Sequence, residues 1–269
     1  MSIQTNETQV EKAELLRSLH VPGDPLILTN VWDAISATTV AKTPGVRALA
    51  SASHSVSNAR GFEDGEGIPL DEALDSIRRI VAAVDLPVTA DFEKGYADDP
   101  EGVRRNVKRL IETGAVGINI EDSVGAEKAP TFPLEVAASR VAAARAAAED
   151  TGVPLVINAR VDTLAGGGEW DDAVARANAY LGAGADVVFF LGLSDESLVE
   201  RAIGEVHGKI SVIGHPGAVP LKRLAELGVS RVSFGPFALG AALANLQRTA
   251  ATVTALGDYP EDLGFEFAL

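Results

Sequence analysis

The chain has 269 residues, enough to bury a sizeable core in one large domain or two small ones. Its 46% hydrophobic and 23% charged residues give the balance of an ordinary soluble globule. Its formal charge of −15 disfavours nucleic acid and anionic membranes as partners, and the absence of cysteine excludes disulfides, thiolate metal sites and cysteine catalysis.

In chain order, residues 1–20 read as a helical lead-in whose first stretch is polar and acidic, unlike a signal peptide. Short apolar runs then recur: 26–30, 48–51, 86–91, 116–121, 155–160, 187–191, 210–213 and 229–234. Several are continuous rather than alternating, as in strands buried on both faces of a parallel sheet. Between them lie helical stripes, such as Ala73, Leu74, Ile77, Ile80, Val81 and Val84, and then Val103, Val107, Leu110 and Ile111. The second stripe follows Asp99 as N-cap and Pro100 at the first helical position. Glycines 114, 184 and 228 stand where helices should end before the next strand. Eight strand–helix units predict an α/β fold, a (β/α)8 TIM barrel forming one domain over 1–269. An open doubly wound sheet is the competing fold, but no GxGxxG or GxxxxGK[ST] loop follows the first strand. Residues 256–269 form an acidic tail that could pack on a neighbouring subunit. No segment approaches the roughly 20 apolar residues of a membrane span, so a soluble, cytoplasmic protein is expected.

In such a barrel, chemistry belongs at the C-terminal ends of the strands. Polar residues gather there: Asn30, Trp32 and Asp33; Ser51, Ser53, His54 and Ser55; Asp91, Glu93, Lys94 and Tyr96; Glu121 and Asp122; Arg160 and Asp162. Asp91, Glu93, Glu121 and Asp122 crowd one rim and call for a hard cation. Mg²⁺ fits best, with Mn²⁺ as a substitute; zinc fits poorly, with no paired-His spacing among the four histidines. Arg160, arriving opposite, would clamp a substrate carboxylate or phosphonate. A metal and an arginine together suit a small anionic 2-oxo or 2-hydroxy acid. Plainer readings stand beside these. Asp122 and Asp162 also fit helix N-caps, His54 a polar loop position, Trp32 and Tyr96 packing groups, and Lys94 a neutraliser of the rim. Asp91 and Glu93, alternating along one strand end, are expected on the same side.

These motifs resemble the isocitrate lyase and phosphoenolpyruvate mutase superfamily. Asp91-Phe92-Glu93-Lys94-Gly95-Tyr96 is similar to its metal-site run, Ile120-Glu121-Asp122 to its I-E-D, and Asn158-Ala159-Arg160-Val161-Asp162 to its x-A-R-x-D. Gly61-Phe62-Glu63-Asp64-Gly65 and Asn30-Val31-Trp32-Asp33-Ala34 complete the series. The resemblance implies a (β/α)8 barrel, Mg²⁺, and a 2-oxo acid or its enolate as intermediate. It implies Asp91 as metal ligand, with Glu93 and Glu121 completing the shell partly through water. The backbone of Ser53 and His54 would hold the substrate carboxylate, Asp64 would sit beside the bound substrate, and Arg160 would stabilise the enolate. It also implies a homo-oligomer, a dimer or tetramer with an exchanged C-terminal helix.

The loop after residue 121 departs from the pattern. Where methylisocitrate lyases carry a catalytic cysteine, a glycine and a histidine, this chain has Ala129, Pro130 and Thr131. Leu191 stands near the place of an acidic group of those lyases. The loop of the mutases and phosphonopyruvate hydrolases is not matched either; only Lys128 could play its lysine, one position out of register. The expectation is a Mg²⁺-dependent C–C lyase, decarboxylase or hydrolase with Lys128 as a catalytic candidate. The alternatives are a P–C mutase and a non-catalytic metabolite-binding barrel.

Overall fold

A computed structural model describes residues 3–125 and 130–260. Among the described residues nine short strands appear, all parallel: β1 (Leu26–Leu28), β2 (Asn30–Val31), β3 (Leu49–Ser51), β4 (Val88–Asp91), β5 (Gly117–Glu121), β6 (Val156–Val161), β7 (Val187–Phe190), β8 (Lys209–Ile213) and β9 (Arg231–Ser233). β1 and β2 are halves of one extended segment, broken at Thr29. One half pairs with β9 and the other with β3. Counting that segment once, the sheet is an eight-stranded ring, as the sequence predicts. Asn30 locks the closure: its Nδ2 donates to the Ser51 carbonyl at 2.8 Å, and its Oδ1 accepts from the backbone amides of Phe234 and Gly235 at 2.7 and 2.9 Å.

Ten helices are described: α1 (Ile3–Ser18), α2 (Ala34–Ala41), α3 (Ser53–Ala59), α4 (Leu70–Ala82), α5 (Pro100–Ile111), α6 (Leu134–Thr151), α7 (Trp170–Gly182), α8 (Glu196–Glu205), α9 (Leu221–Leu227) and α10 (Phe237–Thr254). The expected rhythm of one helix per strand breaks between β3 and β4, where α3 and α4 both intervene. α5 begins as its sequence dictates, with Asp99 accepting from the Gly102 amide at 2.8 Å and Pro100 at the first turn. Asp33 is also a cap: it closes a capping box with Ser36 at the start of α2. The apolar stripes of α4 and α5 face the strands, and the main core lies between the ring and its helical jacket. α1 covers the base of the barrel, so close to β5 that a Cβ on Gly117 would lie 2.7 Å from Leu16. No described helix is long and apolar enough to cross a membrane.

Candidate active site at the C-terminal mouth

Side chains alternate along a strand, so residues two apart enter the barrel together. On β5 these are Asn119 and Glu121; on β6 they are Asn158 and Arg160. The register sets Asn119 beside Asn158 and Glu121 beside Arg160. The lower layer is a buried polar plug: Asn119 Oδ1 accepts from Asn158 Nδ2 at 2.8 Å and from Arg231 Nη2 at 3.0 Å. Burial draws the Arg231 guanidinium down to about 10, although Asp91 favours its charge.

The upper layer carries the chemistry. Arg160 Nη1 donates to Glu121 Oε2 at 2.7 Å, while Nε and Nη2 grip Asp162 at 2.5 and 2.9 Å. These bonds use three of its five N–H donors and leave one on each terminal nitrogen. Burial opposes the charge of Arg160, but Glu121 and Asp162 outweigh it and raise its pKa, so it stays cationic. The expectation that Arg160 arrives opposite the carboxylates needs correction: β6 is the neighbour of β5, so it stands beside Glu121.

Asp91 ends β4, where its Oδ2 accepts from the Ser53 amide at 3.0 Å. Glu93 is not on the strand. It lies in the following turn with φ +49°, so simple alternation with Asp91 does not hold. A second loop folds over it. The Glu66 amide donates to Glu93 Oε2, and the Tyr96 hydroxyl donates to Oε1 at 3.2 Å. Glu66 in turn accepts from Lys94 Nζ at 2.5 Å and from the Tyr96 amide at 2.6 Å. Lys94 therefore neutralises the rim as expected, through a partner that no spacing rule pointed to. Glu66, Glu93 and Tyr96 all hold positive φ, so non-glycine backbone strain gathers at this corner.

The carboxylates act on one another. Burial first, then Asp64 and Asp91, pushes Glu93 up to about 8. Burial also pushes Glu121 to about 8; Asp162, Asp91 and Glu93 add to this while Arg160 opposes it. Asp64, exposed at the lip, is raised by partial desolvation and by Asp91, with the Ser53 side chain opposing the shift. Ser53, Asp64, Asp91, Glu93, Glu121 and Arg160 thus form one connected group. His54 is exposed on α3 beside it. Lys128 and Ala129 lie outside the described residues.

The donor set suits a hard cation: oxygen donors only, held close enough to resist simultaneous ionisation. Among the described residues no three His, Asp or Glu side chains form a ready-made cage. Mg²⁺ does not need one, because it takes one or two carboxylates and keeps several waters.

Asp122 and Asp162 are not helix caps. Asp122 is 2% exposed and accepts from Tyr180 Oη at 2.6 Å, the Asp162 amide at 2.9 Å and Arg176 Nη1 at 3.4 Å. It anchors the strand end that presents Asp162 and, through it, Arg160. The stem of the loop after β5 is pinned nearby, with the Phe132 amide donating to the Asp122 carbonyl at 2.8 Å.

Beside Arg160 opens a cavity of about 360 Å³. The strand order divides the mouth into an acidic half on β4 and β5 and a second half on β6 to β9, with Arg160 at the boundary.

Residues 16–254 match the phosphoenolpyruvate phosphomutase family. The chain is 32% identical over 240 residues to the 2-methylisocitrate lyase of Escherichia coli K12, covering 83% of this chain and 80% of that enzyme. It is 38% identical over 133 residues to an oxaloacetate decarboxylase of Bradyrhizobium sp. BTAi1, covering 47% of this chain and 44% of that one. A phosphonopyruvate hydrolase solved with oxalate and Mg²⁺ shares the fold, with a TM-score of 0.81, 23% identity and coverage of 96% of this chain and 92% of that one.

Proposed function

This chain belongs to the phosphoenolpyruvate phosphomutase family, and from that premise we propose that it cleaves a C–C bond in a small 2-oxo or 2-hydroxy (di)carboxylic acid with the help of Mg²⁺. The observation that carries the reading is the junction of Arg160 with the Asp91, Glu93 and Glu121 carboxylates at one barrel mouth. Asp91 would hold the ion directly, and Glu93 and Glu121 would hold its waters. The Mg²⁺ found with oxalate in the phosphonopyruvate hydrolase supports that choice of ion. Bound there, the metal supplies Lewis-acid stabilisation to negative charge on the substrate's oxygens.

The chain's own residues do the rest. Arg160 offers its two remaining N–H groups to the oxygen on which charge develops, and Asp162 fixes the plane of its guanidinium. The Ser53 amide lies at the same rim, ready to exchange its Asp91 acceptor for a substrate carboxylate. Asp64, its pKa raised, is placed to hold or relay a proton at the lip. With no cysteine in the chain, the thiol-dependent cleavage of methylisocitrate lyases is excluded. Decarboxylation or hydrolysis of an oxaloacetate-type acid needs no thiol acid, and the partial match to an oxaloacetate decarboxylase supports that branch. The test is incubation with Mg²⁺ and a panel of 2-oxo and 2-hydroxy diacids, with pyruvate (decarboxylation), oxalate (hydrolysis) and glyoxylate (cleavage of a 2-hydroxy acid) as readouts and phosphorus NMR on phosphonopyruvate as the P–C control. Release of one of these acids is expected; no turnover by protein shown to bind Mg²⁺ defeats the proposal.

A homo-oligomer belongs to the same reading. It is supported by Leu243 and Leu246 on α10, 52% and 64% exposed, and is checked by light scattering.

A further inference from the structure

The turn after β4 is held in shape by residues of other elements. Glu93 and Tyr96 hold φ of +49° and +53° there, with Gly95 at +94° between them. Left-handed backbone at non-glycine residues persists only where the surroundings over-determine it. Here those surroundings are identifiable, because every carbonyl from Phe92 to Asp98 has a donor. Phe92 accepts from the Gly95 amide at 2.9 Å, and Glu93 accepts from the Glu121 amide at 2.9 Å. Asn106 Nδ2, on α5, donates to the Gly95 and Tyr96 carbonyls at 3.1 and 2.7 Å. Arg140, on α6, takes the other three. Its Nη2 donates to Lys94 and Ala97 at 2.5 and 2.8 Å, and its Nη1 to Asp98 at 3.2 Å.

Arg140 is buried, and burial lowers its pKa, while Glu66, Asp98 and Asp99 favour its charge. Its terminal nitrogens donate to carbonyls rather than to a carboxylate. A planar fork with fixed donors suits three converging carbonyls better than a point charge does. The guanidinium also lies over the Phe132 ring, with its carbon 4.4 Å from the centroid. Phe132 is tied in another direction: its amide donates to the Asp122 carbonyl at 2.8 Å, and its own carbonyl accepts from Arg176 Nη1 at 2.8 Å. Asp122 in turn accepts from the Asp162 amide at 2.9 Å. Arg140 therefore stands between the turn that carries Glu93 and the network that orients Arg160.

We propose that Arg140 is a positioning residue for the metal half of the mouth, and that its stack on Phe132 couples the Glu93 turn to the Asp122 network. The inference rests on the proposed function for the role of Glu93. It goes further by assigning two residues outside the mouth to the control of its geometry.

The test is a double-mutant cycle on the full-length protein, read by Mg²⁺ calorimetry and by backbone hydrogen exchange without metal. Arg140→Gln loses the charge, the stack and part of the carbonyl clamp. Its Mg²⁺ affinity should fall at least about fivefold, and Arg140→Lys should recover part of that loss. Phe132→Leu alters no residue of the turn and no metal ligand. It should still weaken Mg²⁺ binding about threefold and speed exchange at the Gly95 and Tyr96 amides. In the Arg140→Gln background it should add nothing further. Wild-type Mg²⁺ affinity in folded Arg140→Gln, or full additivity in the double variant, overturns the inference. If Arg140→Gln fails to fold, Phe132→Leu decides alone, and unchanged exchange at Gly95 and Tyr96 overturns the inference. A wild type that binds no Mg²⁺ would instead indict the proposed function, while the exchange readout still judges the coupling.

Discussion

Asp122→Ala tests whether the strand-end network positions Arg160. The carboxylate is buried and takes three hydrogen bonds, from Tyr180, the Asp162 amide and Arg176. Bonds to a charged group contribute about 1.5–3 kcal/mol each. Their sum is too large an answer, because burial disfavours the Asp122 charge and raises its pKa. Arg176 also keeps Asp172 at 2.8 Å and the Phe132 carbonyl at 2.8 Å after the change. Breaking a buried pair from one side costs about 3–5 kcal/mol, and the retained partners place this case at the low end, about 3 kcal/mol. Asp122→Asn keeps an acceptor for the Asp162 amide and should cost about half as much. Urea unfolding, with the m-value checked for constancy, measures both. Catalytic efficiency measured in parallel should fall more than tenfold in the alanine variant, because Asp162 loses its anchor and Arg160 loses its fixed plane. A loss of stability below about 1 kcal/mol, or unchanged turnover, would refute the role assigned to Asp122.

Asp91→Ala should abolish Mg²⁺ binding by calorimetry while the circular dichroism spectrum persists; unchanged binding would remove Asp91 from the metal site. His20 is 1% exposed, and burial, aided by the charge of Arg231, draws it from 6.5 down to about 3. The native state therefore keeps His20 neutral while the unfolded chain protonates it below pH 6.5. This stability is fully present above that pH and declines by about 1.4 kcal/mol per unit below it, so about 2 kcal/mol is lost at pH 5. His20→Phe should flatten that slope in urea melts across pH 4.5–7. Gly192→Ala should lower stability by about 1–3 kcal/mol through its left-handed backbone and its contact with Ala165, read as a fall in melting temperature.

Much of the barrel is legible in the residues themselves. Continuous apolar runs such as 187–190 mark strands buried on both faces, and Asp99-Pro100 marks the start of α5, because burial and capping are local demands on residue type. Asp91, Glu121 and Arg160 are legible as well, since a strand end in a barrel has a known destination. Side-chain partnership is a different matter. Arg160 stands beside Glu121 because strand register, a long-range property, makes β6 the neighbour of β5. Asp122 is a buried anchor rather than a cap because α7 delivers Arg176 and Tyr180 to it from more than fifty residues away. Glu66 became part of the site because its loop folds over Glu93, and the cavity beside Arg160 exists because the five loops after β5 to β9 converge there. The sequence alone therefore determined the barrel and the kinds of group at its mouth. Only the tertiary structure decided which charges are already paired, and that pairing depends on contacts between residues remote along the chain.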